Sequence, residues 1–147
     1  MIQLTNKYPL VDSNILIDWF VGGQEAKKYE PIFTGLIYYN LTILTETINF
    51  IQNKHSFKLA KRTVNDIFEN VNVFVQLPID STTFELAIKI HNRYYTSKLG
   101  FSDCMILAQA RLHDLTIFTQ DQRMQMYKKW RLLILLKNRQ IAKVQVS

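Results

Sequence analysis

The sequence predicts an α/β fold with a mainly parallel central sheet of four to five strands and helices on both of its faces. Segments rich in β-branched and aromatic residues alternate along the chain with helical segments, several of ten residues or more. This alternation is typical of a parallel sheet, because each helix carries the chain back to the end at which the next strand begins. With 147 residues, 48% of them apolar, the chain has the length and the apolar content of one domain.

Five segments are predicted as strands. The first leads from Tyr8 into Asp12, and the third alternates apolar and polar residues through Val71, Asn72 and Val73. The five segments are 8–12, 38–43, 71–75, 115–118 and 131–136.

Six segments are predicted as helices. Ser13-Asn14 and Asp80-Ser81 supply side-chain oxygens that cap helix N-termini, and Gly100 separates the last two helices. Pro31 predicts a kink or a boundary in the second helix. The six segments are 15–20, 25–36, 46–52, 57–68, 80–95 and 103–112.

The composition excludes several classes of protein. The single cysteine, Cys104, forms no internal disulfide, so a disulfide-stapled secreted scaffold is excluded and we expect a cytoplasmic chain. The longest aliphatic run, 132–136, is far shorter than the roughly 18 residues of a membrane span, and we expect no membrane partner. His55, His91 and His113 are too far apart in the sequence to suggest a zinc site.

The net charge of +6 is concentrated at the C-terminal end. The last 25 residues hold seven of the 18 basic side chains and no acid, whereas the first 122 residues hold 11 basic and 12 acidic side chains. A basic segment of this kind suits an anionic partner such as nucleic acid, and a solubilising tail explains it equally well. We divide the chain into a domain of residues 1–136 and a basic tail of residues 137–147.

Four acidic side chains lie where predicted strands end or predicted helices begin. Asp12 follows the first strand, Glu46 opens the third helix, Asp103 opens the last helix and Asp121 follows the fourth strand. Because the carboxyl ends of parallel strands meet at one edge of a sheet, we expect these carboxylates to lie close together. Taken singly, each is explained more simply as a helix cap or a first-turn acid.

Carboxylates that gather without basic partners repel one another strongly in a partly buried site. A hard divalent cation such as Mg²⁺ or Mn²⁺ offsets that repulsion, prefers oxygen ligands and activates water. The four acids taken together therefore indicate metal-dependent hydrolysis of phosphodiester bonds.

Four short segments around these acids resemble, in order, the sequence motifs of PIN-domain nucleases. In the first, an aspartate precedes a serine, an asparagine and an apolar helix, and in the second a glutamate begins a helix. In the third, an aspartate heads a helix with small apolar residues, and in the fourth an aspartate lies two residues after a threonine. The segments are 11–17, 44–48, 100–108 and 117–121.

The resemblance implies a three-layer α/β/α fold and an endoribonuclease that depends on Mg²⁺ or Mn²⁺. The small size is similar to that of the VapC-type toxins of toxin–antitoxin pairs, which implies a homodimer and inhibition by a small antitoxin. By the resemblance, four carboxylates are catalytic and bind the metal, and three polar side chains support them through hydrogen bonds. The carboxylates are those of Asp12, Glu46, Asp103 and Asp121, and the supporting residues are Ser13, Asn14 and Thr119.

The chain departs from the family pattern after the fourth motif. Many members carry a further acid two residues after the fourth and then an aromatic residue, whereas this chain has Arg123 and Met124 at those positions. The difference speaks against a second tightly held metal ion, unless a substrate phosphate completes its site.

Basic side chains are predicted to contact the phosphates of an RNA substrate, so that binding weakens as the salt concentration rises. They are Arg93, Lys98, Arg123, Lys128, Lys129 and Arg131. Two alternatives stay open at this point. One is a PIN-like module that binds RNA or a protein with weak or no catalysis, and the other is a housekeeping RNA-processing nuclease without an antitoxin.

Overall fold

A computed structural model of the chain describes residues 8–22, 24–96, 98–121, 124, 132–135 and 141–144. Its strands are β1 (Pro9–Val11), β2 (Ile37–Tyr39), β3 (Phe74–Gln76), β4 (Thr116–Thr119), β5 (Leu132–Leu135) and β6 (Ile141–Val144). Its α-helices are α1 (Ser13–Val21), α2 (Leu41–Lys54), α3 (Phe57–Glu69), α4 (Ser81–Arg93) and α5 (Phe101–Leu112), and a 3-10 helix spans Gln24–Tyr29.

The strands form one sheet in the order β3-β2-β1-β4-β5-β6. The first five strands in this order run parallel, and β6 pairs antiparallel with β5. The predicted class is confirmed: the sheet is mainly parallel and lies in a three-layer α/β/α arrangement. Because β1 lies between β2 and β4, the residues that follow β1 and β4 emerge side by side at the same edge.

The sheet extends past residue 136, at which we divided the chain. Residues 141–144 lie in the predicted basic tail, and they form β6 opposite β5, with Leu135 paired with Ile141. A four-residue stretch that contains Lys143 and is flanked by polar residues carries little local signal for a strand. Residues 141–144 are assigned as a strand because they pair with β5.

Several predicted elements have different bounds in the structure, and three of them illustrate the causes. The predicted strand 38–43 ends at Tyr39, because the Asn40 side chain accepts a hydrogen bond from the Ile43 backbone at 2.8 Å and begins α2 at Leu41. The predicted helix 25–36 is a 3-10 helix that ends at Tyr29, before Pro31. The predicted strand 71–75 begins only at Phe74, after a turn.

The core is formed by the inner strands and the helices that cover them. Leu10, Ile117 and Phe118 in the central strands are fully buried, as are Ile15 and Leu16 of α1. Burial of these side chains fixes β1 and β4 against α1, and it thereby fixes the ends of both strands. None of the helices that the structure describes is long and apolar enough to cross a membrane.

Candidate active site

Asp12 lies at the centre of the candidate site, directly after β1. Its backbone amide donates to the Phe118 carbonyl of β4 at 2.9 Å, and its side chain caps α1 by accepting from the Ser13 amide at 2.7 Å. Oδ2 of the same carboxyl accepts from the Thr119 hydroxyl at 2.8 Å. The residue is 5% exposed. Both carboxyl oxygens are therefore held by the fold.

Burial raises the pKa of the Asp12 carboxyl to about 6, from 3.8. The hydrogen bonds from Thr119 and Ser13 favour the ionised form and oppose this rise in pKa, whereas the negative charges of Asp103 and Glu46 add to it. Both acids are therefore near enough to Asp12 for their charges to act on it.

Glu46 reaches this group from α2. Because α2 begins at Leu41, Glu46 lies in the second turn of the helix, and the prediction that it opens the helix is wrong. Its Oε2 accepts a hydrogen bond from the Ser13 hydroxyl at 3.1 Å. Ser13 thus contacts two of the acids, through its backbone amide to Asp12 and through its hydroxyl to Glu46.

Asp103 lies in the first turn of α5, as predicted. Its Oδ2 accepts from the Gly100 amide at 3.2 Å, which holds the side chain at the start of the helix. The next residue, Cys104, is 1% exposed, and burial together with the charge of Asp103 raises the pKa of its thiol to about 11. A buried thiol with such a pKa is a packing group rather than a nucleophile.

Thr119 connects Asp121 to Asp12. Its hydroxyl donates to Asp12 and accepts from the Asp121 amide at 3.0 Å, so that one side chain contacts the residues at the ends of two neighbouring strands. The Asn14 side chain donates to the same hydroxyl at 3.4 Å and accepts from the Gln120 amide at 3.2 Å. The three residues predicted as supports, Ser13, Asn14 and Thr119, therefore all lie among the acids.

The donor set fits a hard divalent cation in its chemistry. The side chains that gather at Asp12 are carboxylates and hydroxyls, which are the ligands that Mg²⁺ and Mn²⁺ prefer. Burial and the negative charges of Asp103 and Glu46 disfavour the ionised form of Asp12, and a bound cation would favour it. As placed, however, no three His, Cys, Asp or Glu side chains among the described residues already form a set that could hold a metal ion.

Two of the six basic residues predicted to bind RNA lie within the described part of the chain. Arg93 ends α4 with an exposed side chain, and its guanidinium lies 5.6 Å from the centre of the Tyr94 ring. Lys98 is exposed in the loop that leads to α5. The other four, Arg123, Lys128, Lys129 and Arg131, lie outside the described residues.

A polar cluster that was not predicted from the sequence lies beside the site. Oδ2 of Asp18, on α1, accepts from the Tyr29 hydroxyl at 2.8 Å and from the Gln120 amide nitrogen at 2.6 Å. These residues are 11 and 102 positions from Asp18, and no local pattern links them. Only the position of Gln120, directly before a candidate catalytic acid, gave a signal that could have found it.

The PIN domain family model matches residues 10–129, a segment that contains all four acids. The chain belongs to the PIN-domain family. The resemblance found in the motifs is thus confirmed, and so is the fold that it implied. At the point where many PIN domains carry an aromatic residue, this one has Met124, which is fully buried and whose amide donates to the Asp121 carbonyl at 3.2 Å.

Several solved structures resemble this PIN domain. FitAcB from Neisseria gonorrhoeae has a TM-score of 0.67 at 16% identity, over 84% of this chain and 95% of that chain. A toxin–antitoxin complex from Klebsiella pneumoniae has a TM-score of 0.63 at 26% identity, over 79% and 89%. VapC20 of Mycobacterium tuberculosis, a toxin that cleaves the sarcin-ricin loop, has a TM-score of 0.63 at 14% identity, over 74% and 86%. No curated protein matches the sequence significantly.

Proposed function

We propose that this PIN domain is a metal-dependent endoribonuclease and the toxin of a toxin–antitoxin pair. The observation that carries the proposal is the buried Asp12 carboxyl, whose pKa is raised by burial and by the charges of Asp103 and Glu46. A fold that gathers acids in this way gains most from a bound cation, and phosphodiester hydrolysis is the chemistry that such a site supports. The toxin role is supported by the similar toxin and toxin–antitoxin structures.

Mg²⁺ or Mn²⁺ is the proposed cofactor. Asp12, Asp103 and Asp121 are its proposed direct ligands, and Glu46 binds it directly or through water. When bound, the ion eases deprotonation of a water molecule and stabilises negative charge on phosphate oxygens. The proposal is supported by the charge of Asp103, which acts on Asp12, and by the Thr119 hydroxyl, which bonds to Asp12 and to the Asp121 amide.

The protein's own residues position the attacking water and the RNA. Glu46, with one oxygen bound by Ser13, orients that water or accepts its proton through the other oxygen. Arg93 and Lys98 contact phosphates, and Tyr94 and Tyr95 offer ring faces on which bases stack; Tyr95 is 72% exposed. We also assign RNA contacts to Arg123, Lys128, Lys129 and Arg131. We propose a cytoplasmic homodimer inhibited by a small antitoxin.

An RNA-cleavage assay with Mg²⁺ or Mn²⁺ tests the proposal. We expect cleavage that stops when EDTA is added, and we expect Asp12→Asn and Asp103→Asn each to lower its rate by about 100-fold or more. Asp66→Asn, an exposed substitution on α3, is the matched control and should cleave as the unchanged protein does. Equal rates for Asp12→Asn, Asp103→Asn and the control would contradict the proposed mechanism.

A second candidate function is an RNA-binding module with weak or no catalysis. It is favoured by Arg123 at the position where many PIN domains carry a further acid, and by the basic C-terminal segment. A titration with Mn²⁺ followed by electron paramagnetic resonance separates the two functions. RNA binding without measurable Mn²⁺ binding supports the module, whereas Mn²⁺ binding that is lost in Asp12→Asn supports the nuclease.

A further inference from the structure

The residue before Asp121 is held more firmly than its place in a loop requires. Gln120 lies in a bend after β4, and its backbone amide donates to the Asn14 side chain at 3.2 Å. The next amide, that of Asp121, donates to the Thr119 hydroxyl at 3.0 Å. Two consecutive peptide groups are therefore bound by side chains rather than by a strand or a helix.

The Gln120 side chain adds a third attachment. Its Nε2 donates to Oδ2 of Asp18 at 2.6 Å and also to the Tyr29 hydroxyl. The hydroxyl in turn donates to Oδ2 of Asp18 at 2.8 Å. Each of the three groups thus contacts the other two, and the amide nitrogen is a donor to both of its partners.

The cluster connects the loop after β4 to two other elements. Asp18 belongs to α1, the helix capped by Asp12, and Tyr29 ends the 3-10 helix with 0% of its side chain exposed. A polar cluster that includes a fully buried tyrosine contributes little net stability, because its hydrogen bonds replace those made with water. What such a cluster does supply is a fixed geometry for the groups attached to it.

We infer that Asp18, Tyr29 and Gln120 form a positioning cluster that sets the place of the Asp121 carboxylate relative to Asp12. The inference rests on the proposed function, in which Asp121 is a metal ligand. None of the three touches the metal or the RNA. They act through the backbone between Thr119 and Asp121, and their loss misplaces a ligand without removing it.

The substitution Gln120→Glu tests the cluster with nearly no change in shape. It replaces both N–H donors with a carboxylate that faces Asp18, so the contact becomes repulsive. We expect kcat for RNA cleavage to fall about 10- to 100-fold, the range for residues that orient a ligand. We expect KM to stay within about twofold, because the cluster does not bind RNA.

Two further variants make the test specific. In the double variant Asp18→Asn/Gln120→Glu, donor and acceptor are exchanged between the two side chains, and we expect most of the lost kcat to return. Gln52→Glu, an exposed substitution on α2, introduces the same charge and should leave kcat unchanged. An unchanged kcat in Gln120→Glu, or an equal loss in Gln52→Glu, overturns the inference.

Hydrogen exchange of the backbone amides keeps the inference separate from the proposed function. If the unchanged protein cleaves no RNA, the proposed function fails, and the cluster is judged by exchange alone. We expect Tyr29→Phe, which removes one oxygen, to speed exchange at residues 120 and 121 while the β1 and β4 amides stay protected. The same measurement serves if Gln120→Glu does not fold. Unchanged exchange at residues 120 and 121 overturns the inference.

Discussion

The Thr119 hydroxyl uses its full hydrogen-bonding capacity within the site. It donates to Asp12 and accepts from the Asp121 amide and from the Asn14 side chain. A hydroxyl has one donor and two acceptor positions, and these three contacts use all of them. At the scale of residues, the site is therefore organised around a threonine as much as around its acids.

The stability of the metal-free protein should depend on pH through Asp12. Its pKa is about 6 in the fold, against 3.8 without the surrounding structure, so the folded protein binds this proton more tightly. The resulting stabilisation is present below pH 3.8 and is lost as the pH rises through 6. Between pH 4.5 and 7, the free energy of unfolding should fall by about 2 kcal/mol from this group.

Urea unfolding in EDTA measures this dependence, with Asp12→Asn as the reference. Other groups titrate in the same range, so the quantity to compare is the difference between the two proteins at each pH. The substituted protein should gain about 2 kcal/mol relative to the unchanged one between pH 4.5 and 7. A difference that does not vary with pH would show that the carboxyl of Asp12 titrates normally.

At this scale, site residues that follow a strand or open a helix could be predicted from the sequence, because local patterns mark such positions. Asp12, Asp103 and Thr119 are of this kind. Tyr29 and Gln120 could not be predicted, since their contact joins a 3-10 helix to a loop about 90 positions away and depends on how both pack against α1. No periodic pattern in the sequence predicts contacts of that kind.

At the scale of elements, a polar cap determines where α2, the helix that carries Glu46, begins. Asn40 caps α2 and is fully buried, and its side-chain nitrogen donates to Oε1 of Gln109 on α5 at 2.6 Å. The Gln109 nitrogen donates to the Pro78 carbonyl at 2.9 Å. The pair therefore ties together the helices that carry Glu46 and Asp103.

We expect Asn40→Ala to destabilise the protein by about 2–4 kcal/mol. The loss combines a helix cap, worth about 1 kcal/mol, with a buried Gln109 oxygen left without its donor, which costs about 1–3 kcal/mol. Urea unfolding gives the value. Asn65→Ala, at an exposed position on α3, is the matched control and should change stability by less than about 0.5 kcal/mol. Equal effects of the two substitutions would show that the buried amide pair contributes nothing.

Most elements could be predicted because their apolar residues repeat with the period of a strand or a helix. The segment 38–43 could not, since Leu41, Ile43 and the residues beside them fit either period over so short a length. The end of β2 is fixed by the buried Asn40–Gln109 contact, which is a property of the folded chain. The same ambiguity placed Glu46 at a helix start that the structure moves five residues earlier.

At the scale of the whole molecule, the charge distribution predicted an anionic partner but not the surface that binds it. The described part of the chain contains Arg93 and Lys98, and it also contains a second exposed group on α2 and α3. That group is Lys54, Lys58, Lys61 and Arg62. Binding experiments can distinguish the two surfaces.

Substitution of Arg93 and Lys98 by glutamine should weaken RNA binding and make it less sensitive to salt. If each side chain neutralises one phosphate, the slope of log K against log salt concentration falls in magnitude by about 1.4 for single-stranded RNA. The matched control replaces Lys58 and Lys61 on α3 by glutamine. Equal effects of the two pairs would show that RNA responds to net charge alone and would remove Arg93 and Lys98 from the proposed interface.

The pairing of β1 with β4 determines when the site can be completed during synthesis of the protein. The partner of Val11 is Phe118, which is made 107 positions later. An incomplete chain that ends before β4 carries Asp12 without the threonine that binds it and without Asp121. The proposed cleavage therefore cannot begin on such a chain, because the site is complete only after the ribosome has released the segment through Asp121.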